Sequence, residues 1–103
     1  IPSMWWHHVQ SLQPFNVLIN YWWSSAPAHL PAAMPALYHA LWAIRDRPAA
    51  EKQAWRALFD HYVFGPAEQA GEHLPEPARH ALGPIDPMLS RQLRAMLIGK
   101  LNR

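Results

Sequence analysis

The chain has 103 residues, half of them apolar and 16% charged, with a formal net charge of +2. That composition can bury a core and excludes a disordered polyelectrolyte. There is no cysteine, which excludes a disulfide framework and thiolate metal sites and fits a reducing, cytoplasmic setting. Lys and Arg are scattered, apart from Arg91, Arg94, Lys100 and Arg103 near the C-terminus, so no basic stripe points to nucleic acid. No apolar run approaches the roughly 20 residues that span a bilayer.

The first 23 residues read as strand, turn, strand. In Trp5-Trp6-His7-His8-Val9, period-two alternation puts Trp5, His7 and Val9 on one face and Met4, Trp6 and His8 on the other. Ser11-Leu12-Gln13-Pro14 is a turn, and Phe15 to Trp23 has the β-branched and aromatic composition of a strand. On that second strand Asn16, Leu18, Asn20 and Trp22 share a face, opposite Phe15, Val17, Ile19, Tyr21 and Trp23. Both faces are bulky, so both require cover. A lone two-stranded hairpin is marginal in water, and this one needs further strands. The start at Ile1, inside an apolar and aromatic pattern and without Met, reads as a piece of something longer.

Residues 24–29 form a linker of small residues with one proline, and from about residue 30 the pattern becomes helical. Leu30, Met34, Leu37, Leu41 and Ile44 recur at spacings of three and four, widened by Tyr38 and Trp42. Pro35 is awkward inside a helix, so the regular part is predicted from near Pro35 to Asp46. Pro48 opens a second helix, with Trp55, Leu58, Phe59, Tyr62 and Val63 apolar and Glu51, Lys52, Arg56 and Asp60 on its wet side; Gly65-Pro66 stops it. A short helix is predicted around Pro77–Leu82. Asp86 then reads as an N-cap with Pro87 at the first helical position of a last helix to about Leu101, carrying Leu89, Leu93, Met96, Leu97 and Leu101. The expected fold class is mainly α as present, a C-terminal helical module over 30–103, with a β-hairpin remnant over 1–23. Three or four helices are few to hide stripes this wide, and a partner surface is expected.

A histidine on a strand facing into a barrel is a natural ligand for a divalent metal through its neutral imidazole, but one histidine makes no site. A two-histidine-one-carboxylate site needs a second His and an acid from neighbouring strands, and no His-x-Asp or His-x-Glu occurs in this chain. His39, His61, His73 and His80 are dispersed, and no pair of them has the i,i+4 spacing of a helical metal site.

Ile1-Pro2-Ser3-Met4-Trp5-Trp6-His7-His8-Val9-Gln10-Ser11-Leu12, followed by Val17-Leu18-Ile19-Asn20-Tyr21-Trp22, resembles the C-terminal strands of the cupin-like JmjC oxygenases, with an asparaginyl hydroxylase the nearest kind and bacterial cupin-like proteins nearer still. The resemblance implies that residues 1–23 are the last strands of a double-stranded β-helix barrel. It implies that His7 is the third iron ligand, with His8 turned the other way, and that Asn20 and Trp22 line the pocket for 2-oxoglutarate and iron. It further implies Fe(II) and 2-oxoglutarate as cofactors of a full-length parent hydroxylase, and a homodimer through the helices, chiefly residues 30–64. The chain departs from the pattern in lacking the His-x-Asp pair and the basic residue for the 2-oxoglutarate carboxylate. Alone it is therefore expected to bind neither cofactor, to hold no catalytic residue and to be inactive. The alternative reading is a non-catalytic helical dimerisation or protein-interaction module. A sugar-binding or isomerase cupin fits less well, since those barrels lack the Trp-Trp-His-His run.

Overall fold

A computed structural model describes residues 4–102. From residue 34 onward it holds three α-helices, α1 (Met34–Ile44), α2 (Ala49–Tyr62) and α3 (Pro87–Leu101), with three short 3₁₀ turns between α2 and α3. Each helix starts where the local chemistry allows. In α1 the N-cap is Ala33 and Pro35 falls in the first turn, where a missing N–H has no intrahelical partner to lose. Pro48 caps α2 in an extended conformation with its carbonyl accepting from the Lys52 N–H at 3.0 Å. Arg47 bridges the two helices: its Nε donates to the Ala43 carbonyl at 2.7 Å, and Nη1 lies 2.9 Å from Glu51 Oε1. At α3 the Asp86 carboxylate accepts from the Leu89 N–H at 2.7 Å, with Pro87 as the first helical residue.

The stop after α2 is steric. The Val63 and Phe64 N–H groups both donate to the Phe59 carbonyl, folding the backbone back on the last turn. A Cβ on Gly65 would lie 2.7 Å from the His61 carbonyl oxygen, so only glycine fits there. Beyond it, Pro66 and Pro75 hold extended backbone and break the chain into 3₁₀ turns at Ala67–Gln69, Glu76–Ala78 and His80–Leu82. The helix predicted around Pro77–Leu82 is thus two 3₁₀ turns, split where His80 takes a positive φ of 46°.

The expected β-hairpin is not formed. Among the described residues there is no strand, and residues 5–23 have no regular element; Ile1-Pro2-Ser3, the start of the expected first strand, lie outside the described residues. The turn alone survives: residues 13–15 bend, Ser11 Oγ donates to the Gln13 carbonyl at 2.9 Å, and the Asn16 side-chain amide donates to both Ser11 Oγ and the Gln13 carbonyl. The physical reason lies in the two bulky faces. Trp6 is 99% exposed, Trp22 87%, and Trp5, Val9, Phe15, Ile19, Tyr21 and Trp23 are all exposed. A strand ladder is stabilised by burying at least one of its faces, and no described residue covers either.

The helices do not cover each other either. No pair of them packs along a shared face, and among the described residues only Ala70 and Gly71 are buried. The radius of gyration is 18.9 Å, against about 13 Å for a compact domain of this length. The chain exposes 10215 Å², about 4,300 Å² more than the roughly 5,900 Å² that its mass predicts for a compact monomer.

Candidate functional site

The sequence-derived site residues all sit in the open N-terminal segment. His7 is exposed, with Nδ1 3.5 Å from the Trp5 carbonyl oxygen, a contact within its own segment. His8 and Asn20 are exposed, as is Trp22. Without strands, the period-two placement that would turn His7 inward and His8 outward is not built, nor is the shared face of Asn20 and Trp22. Among the described residues no group of three or more His, Asp or Glu side chains could hold a metal ion. The donor set among the described residues therefore does not fit iron and 2-oxoglutarate. One imidazole without an acidic neighbour cannot supply a two-histidine-one-carboxylate triad.

Two grooves among those of the described residues bear on function, one between α1 and α2 and one among the 3₁₀ turns. The first, about 520 Å³, opens between α1 and α2. Its floor is Leu37, Ala40, Leu41, Ile44, Trp55 and Phe59, and Arg45, Lys52 and Arg56 stand at its rim. Lys52 and Arg56, read from the sequence as the wet side of α2, thus border the apolar floor, where long basic side chains cover apolar surface with their stems. The second, about 510 Å³, lies among the 3₁₀ turns and includes Glu68, Gly71, Glu76, Arg79 and His80. Arg79 holds this region together by donating from Nε to the Leu74 carbonyl at 3.1 Å while its stem lies over Gly71, where a Cβ would approach it to 3.1 Å.

Two features were not read from the sequence. His29 ties the N-terminal segment to α3: its Nε2 lies 2.8 Å from the Ile85 carbonyl oxygen, so that nitrogen carries the proton and donates, and Ser90 Oγ donates to the His29 carbonyl at 2.7 Å. These partners are 56 and 61 residues apart, and no local pattern marks such a pairing. The second is an aromatic cluster at the end of α2. His61 and Tyr62 stack edge to face at 4.7 Å, and the rings of His61 and His73 lie 6.1 Å apart. His73 Nε2 is 3.4 Å from the Tyr62 hydroxyl.

A family model for the cupin-like domain matches residues 1–29 of the chain. The N-terminal segment is thus similar to that domain, and the likeness runs six residues past the predicted last strand to end at His29, the residue clasped to α3. No curated protein and no solved structure matches the chain. Among the described residues no helix is long and apolar enough to cross a membrane.

Proposed function

We propose that residues 1–29 are the closing segment of a cupin-like barrel whose other strands lie outside this sequence, and that the helical half is its association module. The observation that carries this reading is a coincidence of two features. The residues matched by the cupin-like family include the stretch whose aromatic side chains are exposed on every side and whose backbone forms no ladder of its own. A segment of that composition gains its shape from neighbouring strands.

In the assembled barrel His7 is the third metal ligand, His8 supports the strand from outside, and Asn20 and Trp22 line the pocket. The parent is a non-haem Fe(II) and 2-oxoglutarate-dependent hydroxylase, of the asparaginyl hydroxylase kind. This chain's own share is one imidazole donor, two pocket-lining side chains and the helices. The wide exposed stripes of α1 and α2, and the apolar groove between them, support homodimerisation through that half.

The test separates the two histidines. In the polypeptide that includes the remaining barrel strands, His7→Ala abolishes Fe(II) binding while His8→Ala retains it; equal loss in both variants, or in neither, removes His7 from the ligand set. The 103-residue chain alone, given Fe(II), 2-oxoglutarate and O₂, produces no succinate, and succinate formation would overturn the division of the site.

A non-catalytic interaction module is the alternative, favoured by the same groove and by the lack of any assembled donor cluster among the described residues. A His-x-Asp or His-x-Glu motif in the sequence preceding Ile1 decides for the hydroxylase.

A further inference from the structure

We propose that His61 and His73 form a binding site for a divalent transition-metal cation of the Zn²⁺ class, which clamps the C-terminal end of α2 to the turn that follows. The site is separate from His7 and independent of any barrel.

Their twelve-residue separation matches no helical metal motif. The fold brings them together because Gly65 and Pro66 turn the chain at the end of α2, and the 3₁₀ turn at Ala67–Gln69 carries it back past the last helical turn. The ring centroids end 6.1 Å apart with their planes inclined by 58°. Two imidazoles on one ion, each with a metal–nitrogen bond of about 2.0–2.1 Å, hold their ring centres about 5–6 Å apart. The observed separation lies just beyond that span, within reach of side-chain movement.

Tyr62 supports the arrangement. Its hydroxyl lies 3.4 Å from His73 Nε2, and its ring packs edge-on against His61 at 4.7 Å. Where His73 Nε2 carries the proton and donates to the tyrosine oxygen, Nδ1 of His73 keeps the free lone pair; the tautomer sets the direction of this contact. Holding the second ring nitrogen is the usual way a protein fixes the tautomer of a ligating histidine. Neutral imidazole selects borderline cations such as Zn²⁺ over Mg²⁺ or Ca²⁺, which prefer oxygen. Among the described residues no carboxylate joins the pair into a group of three, so water completes the coordination and the ion exchanges freely. Both histidines are exposed, which leaves the ion an open path.

The experiment uses the whole chain carrying His7→Ala and His8→Ala, because that adjacent exposed pair would also take up metal. Zn²⁺ alone is titrated against a chromophoric chelator. One equivalent binds, His61→Ala and His73→Ala each weaken binding at least about tenfold, and Tyr62→Phe weakens it about as much through loss of the oriented tautomer. His39→Ala, on α1, leaves binding unchanged. A second readout needs no variant at the site: the ring nitrogens of His61 and His73 shift together on Zn²⁺ addition while those of His39 and His80 stay put. Absence of binding at millimolar Zn²⁺, binding by the His61→Ala or His73→Ala chain as tight as by the chain that keeps both histidines, or ring shifts confined to other histidines each overturn the site.

Discussion

The groove between α1 and α2 yields the most direct prediction, because its floor is apolar and its surroundings leave it uncovered. Leu41 lies in that floor beside Ile44, Trp55 and Phe59, and is still 38% exposed. The perturbation is Leu41→Asp. A partner covering the groove completes the burial of Leu41, and truncating that contact alone costs at most about 1 kcal/mol, the remaining third of a fully buried leucine. A carboxylate in its place is desolvated without a partner and costs several kcal/mol more. Taking about 3 kcal/mol per substituted groove, association weakens by about a hundredfold, and a two-fold dimer that buries both grooves loses more. The chain has ample surface to form such an interface: its excess of about 4,300 Å² over a compact monomer exceeds the roughly 800 Å² per partner of a standard interface. Sedimentation velocity over a micromolar concentration series reads the outcome. The wild-type chain forms dimers, Leu41→Asp sediments as monomer, and His39→Asp on the same helix, outside the groove lining, behaves as wild type. The rim adds a sign: Arg45, Lys52 and Arg56 bring like charges together in a self-association, so added salt tightens it. A wild-type chain that remains a compact monomer, or identical sedimentation of wild type and Leu41→Asp, refutes the reasoning.

Three further outcomes follow from single contacts. Asp86→Ala removes the acceptor of the Leu89 N–H and costs about 1 kcal/mol of α3 stability, read as lower helicity by circular dichroism and faster amide exchange at Leu89; Asp86→Asn retains most of the cap. Gly65→Ala drives a Cβ into the His61 carbonyl oxygen and destabilises the end of α2 by roughly 1–3 kcal/mol, which also displaces His61 and so lowers Zn²⁺ affinity in the same sample. The exposed Trp5, Trp6, Trp22 and Trp23 give the isolated chain a water-like emission maximum and easy acrylamide quenching; a blue-shifted, protected emission would mean that this chain covers them itself.

The helices were legible because their punctuation is local. Pro48, Gly65-Pro66 and Asp86-Pro87 act through their own backbone, and each lies where the structure starts or stops a helix. Pro35, read as a boundary, proved to be a first-turn residue one position inside α1, since the first turn demands no donor from it. The two 3₁₀ turns at Glu76–Ala78 and His80–Leu82 look like one short helix in the sequence because periodicity cannot see the positive φ at His80. The hairpin is not seen among the described residues for the opposite reason. Its alternation and β-rich composition describe a strand that fits between others, and such a signal carries no information about whether the others are present. His29 and the His61–His73 pair left no signal, because each depends on how loops return the chain.

The boundary of the cupin-like match gives these pieces a common logic. It ends at His29, and His29 is bound on both its ring and its carbonyl to the start of α3. The capped N-terminus of α3 is thereby a fixed anchor for the point at which the aromatic segment leaves the helical half. Asp86 positions α3, Ser90 on that helix holds the His29 carbonyl, and the His29 ring holds Ile85 in return. The two hydrogen bonds constrain only the last residue of the match. Among the described residues, those before the Pro27–Leu30 turn, including His7, Asn20 and Trp22, stay exposed and without ladder partners. If the segment supplies strands to a barrel, as proposed, an anchored end with an exposed aromatic body lets it dock without dragging the helices out of register. Breaking the clasp with Ser90→Ala should therefore leave α3 helical, since Asp86 still caps it, while loosening where the segment joins the module.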